Sequence, residues 1–197
     1  MIPNSKYITG EDRERVSKIC RHELGHFFVA QQLGFKTNDL NLVFQRFQGH
    51  KGAAGLEPNL PGILEITDII NYLESRIMIL FAGVIAEAIN SEGKYDNDYA
   101  LHQWRNDGGV QDHAKIRELV FLLRGIKHPN TVDNEEIQAQ LNEIDQNLIQ
   151  RTGELILLNI ELIHQVAGQM ADRIKMYETP YTFSNAEIAE WLSQPIQ

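Results

Sequence analysis

Five residues near the start of the chain, His22-Glu23-Leu24-Gly25-His26, have the types and spacing of a metal-dependent hydrolytic centre. They spell HExxH inside an apolar-periodic stretch that includes Val16, Ile19, Cys20, Phe27, Val29, Ala30 and Leu33. Residues four apart on a helix lie one turn apart on nearly the same face, so both imidazoles point the same way. Two neutral imidazoles so placed supply half of a tetrahedral zinc site, and Glu23 lies where a carboxylate can reach water at the metal. The chemistry this predicts is hydrolysis: Zn2+ acidifies the water, Glu23 takes its proton, and the hydroxide attacks a carbonyl. The plainer use of the same residues, with the histidines packing or capping and Glu23 solvated, needs no metal.

The motif requires a helix to hold it. Thr9 is placed to cap one whose first turn carries Glu11 and Asp12, and Thr9 with Asp12 approximates a capping box. Gly34 closes the pattern at the other end. Gly25 costs roughly 1 kcal/mol relative to Ala in a helix interior, which predicts that something packs closely there. Next, Leu40, Leu42 and Phe44 alternate as in a half-buried strand. The turn-rich run 49–55 leads to a second short strand near Ala54 to Glu57, ended by Pro58 and Pro61. A strong helix is expected from Thr67 to Asn90, with Ile70, Leu73, Ile77, Leu80, Phe81, Val84, Ile85 and Ala88 on its apolar face.

Residues 91–111 read as a polar loop with one helical turn near Tyr99 to Trp104. A helix from Asp112 to Leu123 follows Gly108-Gly109 and stops at Gly125 and Pro129. Residues 131–176 are helical in pattern, with the expected break at Thr152-Gly153. Ser184 and Glu187 form a capping box for a last helix to Ser193. The class is mostly α (α+β), with a small sheet after the HExxH helix and a C-terminal helical bundle. A single domain is expected over 1–197, with the zinc site in 1–130 and the closing helices in 131–197.

A catalytic zinc takes a third protein ligand and keeps one position open. The remaining histidines are His50, His102, His113, His128 and His164, and the most suggestive carboxylates are Glu87, Asp107 and Asp112. Glu87 sits on the second apolar helix, where an inward charge needs a partner; ligation, support of a ligand, or simple exposure would each answer. Asp112 opens a helix after two glycines, where capping is an alternative to ligation. His113 is adjacent to it. Spacing alone leaves these candidates open.

Composition narrows the rest. The 197 residues suffice for one sizeable core, and 43% hydrophobic with 23% charged is ordinary for a globular chain. A formal net charge of −9 argues against nucleic acid and against anionic membranes as partners. The lone cysteine, Cys20, excludes an intramolecular disulfide and reads as a core residue of a reducing compartment. Residues 1–10 lack the apolar run of a signal peptide, and the longest apolar stretch, Ile77 to Ala86, is too short to span a bilayer and is followed by Glu87. A cytoplasmic protein is expected.

Over nearly its whole length the chain resembles the peptidase domain of the FtsH-type ATP-dependent zinc proteases. That family carries HEAGH on its first helix, and residues 22–26 differ from it only at Leu24. A small β region follows, then a helix with a Gly-Arg-x-Ala-Glu-Glu pattern. Here Gly83-Val84-Ile85-Ala86-Glu87-Ala88 keeps the Gly, the Ala and the first Glu. The family's third metal ligand is the Asp of a Thr-Gly-Ala-Ser-Asn-Asp segment, against which Asp107-Gly108-Gly109-Val110-Gln111-Asp112 aligns with Gly108 and Asp112 preserved. The tail from Leu157 to Trp191 resembles the family's closing helices.

The resemblance implies a zinc metalloendopeptidase acting on polypeptide, with His22, His26 and Asp112 on the metal and Glu23 as general base. It also raises a homo-oligomer, since such domains assemble as rings. The chain has no GxxxxGK(S/T) phosphate loop, so ATP-independent cleavage, or a separate ATPase or adaptor feeding it, is expected. The alternative is a peptidase-like binding or regulatory module that retains the metal site without the chemistry.

Overall fold

The HExxH motif lies in the middle of a 20-residue helix, α1 (Arg13–Gln32). The computed structural model describes residues 6–46, 50–57 and 62–194. After α1 come β1 (Lys36–Phe44), β2 (His50–Glu57), α2 (Ile66–Ala88), α3 (Asn97–Asn106), α4 (Val110–Lys127), α5 (Asn134–Leu158), α6 (Ile160–Arg173), β3 (Pro180–Phe183) and α7 (Asn185–Leu192). The protein is mostly α-helical with one small antiparallel sheet, in the strand order β2-β1-β3.

Every residue of α1 from Ile19 to Ala30 is buried, so this helix is wrapped on all sides. It packs along α2, itself continuously buried from Ile77 to Ala88. Small residues let the two backbones approach: a Cβ on Gly25 would overlap the Ala82 carbonyl oxygen and lie 2.7 Å from the Ala86 Cβ. That is the close packing the interior glycine predicts. α2 is long and apolar enough to cross a membrane by length and composition, but most of its apolar window is buried. It is the central core helix, covered by α1, α4 and α5.

Gly34 ends α1 as expected. At φ +79° it donates its N–H to the Gln31 carbonyl, and Phe35 donates to the Ala30 carbonyl at 2.9 Å, the paired bonds of a Schellman stop. The other end departs from expectation. Residues Gly10–Asp12 form a 3-10 turn, and neither Thr9 nor Asp12 caps a backbone N–H with its side chain. The Asp12 carboxylate is engaged elsewhere, accepting from the Tyr177 hydroxyl and from the Thr9 hydroxyl.

The alternating Leu40, Leu42 and Phe44 are all buried on one face of β1. Strand β2 begins earlier than its turn-rich sequence suggests, at His50; Gly49, Pro58 and Pro61 lie outside the described residues. Strand β3 carries no sequence signal and pairs with the opposite edge of β1, Leu40 facing Phe183 and Leu42 facing Tyr181. Thus 180–183 share a sheet with 36–44.

The helical boundaries shift in three further places. The expected loop at 91–111 holds a ten-residue helix, α3, capped by Asp96, whose side chain accepts from the Tyr99 N–H at 3.0 Å. α4 runs through Gly125, which faces open space, and stops at His128 because the residue before Pro129 is disfavoured in a helix. The break in 131–176 falls at Asn159, not Thr152-Gly153: the Thr152 hydroxyl donates to the Leu148 carbonyl and stays inside α5. α7 opens at Ser184, which caps Glu187 N–H at 3.2 Å; the Glu187 carboxylate pairs with Arg173 instead of closing the box.

Candidate metal centre

Four helices bring the site together. α1 supplies His22, Glu23 and His26, all buried. α2 runs beside it and presents Gly83 to the two imidazoles. A Cβ at Gly83 would lie 2.5 Å from His26 Nε2 and 2.7 Å from His22 Nε2, so only glycine leaves room for the rings. α4 begins at Val110 after Gly109 tucks under Val84 and Trp104. Asp112 is therefore in the first turn of α4, not at its cap, which is Gly109. From there its Oδ2 lies 3.2 Å from His26 Nε2 and 3.6 Å from His22 Nε2.

The outer nitrogens are both committed. His26 Nδ1 lies 2.6 Å from the Ile79 carbonyl oxygen, and His22 Nδ1 lies 3.0 Å from Glu87 Oε2. Both partners are acceptors, so each ring carries a proton on Nδ1 and turns Nε2, the nitrogen left for a second proton or a metal ion, toward Asp112. Two imidazole nitrogens and a carboxylate oxygen then converge, all within 4.8 Å of one another. With both rings neutral these three acceptors would repel, so the cluster calls for a cation among them, a proton or a metal ion. The donor set, two nitrogens and one carboxylate oxygen, is one that could hold a metal ion.

The electrostatics agree. Burial alone would lower the His22 pKa, but Asp112 and Glu87 on its two nitrogens outweigh this and push it up to about 10. Burial would raise the Asp112 carboxyl, yet its contacts with His22 and His26 hold it well below the usual carboxylate range. The pocket is built to hold positive charge.

Glu87 is 6% exposed, so exposure to solvent is not its role. Its second oxygen, Oε1, accepts from the Tyr99 hydroxyl of α3. Burial and the adjoining Glu87 carboxylate push the Tyr99 phenol up, keeping it a donor. Glu23 is 5% exposed and lies against β2 at Gly52, where any Cβ would overlap its carboxylate.

Among the described side chains, the other sequence candidates stay outside the cluster. His113, next to Asp112, bonds the backbone of Trp104 and interacts with Asp145. Asp107 is exposed at the end of α3, His102 pairs with Asn106, and His164 bonds the Ile89 carbonyl. The Cys20 thiol is pushed up by burial and by Glu23, as suits an inert core residue. Sequence reading did not single out Tyr99 or the carbonyl of Ile79. The first sits in a stretch without strong periodicity, and the second is a backbone group that no residue type announces. No family model matches this chain, and no curated protein matches its sequence.

Proposed function

We propose that the protein is a zinc-dependent metalloendopeptidase that hydrolyses peptide bonds without ATP. The observation that carries this reading is the convergence of His22 Nε2, His26 Nε2 and Asp112 Oδ2, with the buried Glu23 one residue from His22 on the same helix. His22, His26 and Asp112 would hold the metal, while Glu87 and the Ile79 carbonyl fix the tautomers of the two rings. When bound, zinc supplies Lewis acidity, polarising a carbonyl and acidifying water. Glu23 takes the proton of the attacking water and returns it to the departing amine. A binding module has no chemical need for that carboxylate, and burying one is costly.

The sheet offers a place for substrate. β2 is an outer strand, and its backbone at Gly52 adjoins Glu23. An extended peptide adding to that edge by main-chain hydrogen bonds would run past the general base. Pairing of this kind reads backbone, which suits an unfolded polypeptide substrate. The resemblance to FtsH-type peptidases supports the same reading, with polypeptide delivered by a separate ATPase or adaptor, or reached unaided. Elemental analysis of the purified protein, followed by casein digestion with and without a chelator, tests the proposal. One zinc per chain and chelator-sensitive cleavage are expected; a zinc-loaded protein that leaves casein intact would overturn it.

A further inference from the structure

The two histidines are anchored differently. His26 Nδ1 meets a backbone carbonyl, Ile79, which neither rotates nor titrates. His22 Nδ1 meets a side chain, Glu87, on the central core helix. A carboxylate buried to this degree needs both oxygens satisfied, or it turns toward another donor or takes up a proton. Oε2 is met by His22, and Oε1 is met by the Tyr99 hydroxyl. The Tyr99 ring is itself held: Lys18 Nζ lies 3.9 Å from its centroid, a cation–π contact. Lys18 and His22 are four residues apart on α1, so one helix grips the chain of contacts at both ends.

From this geometry we infer that Tyr99 is a positioning residue for His22, acting through Glu87 and pinned by Lys18. Without the Tyr99 hydroxyl, Oε1 loses that donor and the Glu87 carboxylate reorients. His22 then loses the acceptor that keeps its proton on Nδ1. The ring then loses its orientation, and with it the placement of Nε2 toward Asp112. The consequence falls on His22 alone, because His26 rests on Ile79 and has no part in the chain of contacts.

The inference rests on the metal reading for its affinity consequence and on the structure alone for its hydrogen-bond consequence at His22 Nδ1, so the test has two arms. In the first, zinc affinity is measured by chelator competition in wild type, Tyr99→Phe, Glu87→Gln and the double variant. Partners that orient a metal-bound histidine are worth about 10–100-fold in affinity. Tyr99→Phe should fall in that range, and the double variant should bind no more weakly than Glu87→Gln, since residues in one chain of contacts are not additive. In the second arm, nitrogen-resolved NMR of the metal-free protein reads the hydrogen-bonded Nδ1–H protons of the two histidines, which are there whether or not Nε2 carries a proton. Tyr99→Phe should move the His22 Nδ1–H signal upfield and speed its exchange while leaving His26 unchanged, an effect that a loss of general packing would not produce. Lys18→Met should move the His22 signal the same way by less. Wild-type affinity in Tyr99→Phe, full additivity with Glu87→Gln, or an unchanged His22 Nδ1–H signal would each overturn the inference. A wild type that takes up no zinc would instead overturn the metal reading, and the NMR arm would still decide the role of Tyr99.

Discussion

A Cβ placed on Gly83 would lie 2.5 Å from Nε2 of His26, and nearly as close to Nε2 of His22. The glycine of α2 is thus the floor on which both imidazoles of α1 rest. Gly83→Ala should displace the two rings together and cost about 1–3 kcal/mol through overpacking. Zinc uptake should fall with it. Thermal melting and zinc content of the variant check this; a variant with unchanged melting and full zinc would show that the rings have room to spare.

Asp112 and His113 are neighbours in sequence with opposite prospects. Asp112→Ala should weaken zinc binding by orders of magnitude, as should His22→Ala, whereas His113→Ala should leave it unchanged. Because Gly109 and not Asp112 occupies the cap of α4, the metal-free Asp112→Ala protein should keep its helix. Zinc titration of the three variants separates these cases, and full affinity in Asp112→Ala would remove it from the ligand set.

Much of this arrangement is legible in the chain. The HExxH spacing, the glycine that ends α1 and the apolar face of α2 are local signals, each readable within a few turns. Spacing leaves Asp112 one candidate among several; the packing of α4 against α2 brings it to the histidines. What the sequence conceals is non-local. β3 is only four residues long and finds its register on β1 from the far end of the chain, too short for alternation to show. α3 is polar and mostly exposed; its Ala100 and Gln103 are buried only once α2 is there to receive them. Tyr99 was therefore hidden by its neighbours, not by its own type. Gly52 reads as a turn residue until Glu23 occupies the space a side chain would have filled.

pH should change how much zinc stabilises the protein. The folded pKa of His22 is raised from 6.5 to about 10, so its contribution is complete below pH 6.5 and is lost as pH rises through 10. The folded pKa of Asp112 is lowered from 3.8, so its contribution is present above that value and lost as pH falls through the lower one. For these two groups, metal-free stability is greatest between about pH 4 and 6.5. Zinc competes with the proton on His22, so the rise in melting temperature on zinc addition should grow as pH increases. A zinc-induced rise independent of pH from 5 to 9 would contradict this.

Cleavage should be indifferent to ATP, because the 197 residues contain no phosphate-loop pattern. Casein-like chains should be cut, while a stable globular substrate resists, since an extended strand is what the β2 edge can accept. Stimulation of the purified protein by ATP would refute this.

The central claim is that Glu23 moves the proton in a reaction run at the His22, His26 and Asp112 site. Glu23→Gln is nearly isosteric and keeps the contact with Gly52, so folding and zinc content should survive. The direct measurement is the rate of casein cleavage by Glu23→Gln and by wild type, each carrying one zinc per chain. Wild type should cleave casein and the variant should not, because its amide cannot accept the water's proton. Equal rates at equal zinc content would contradict it.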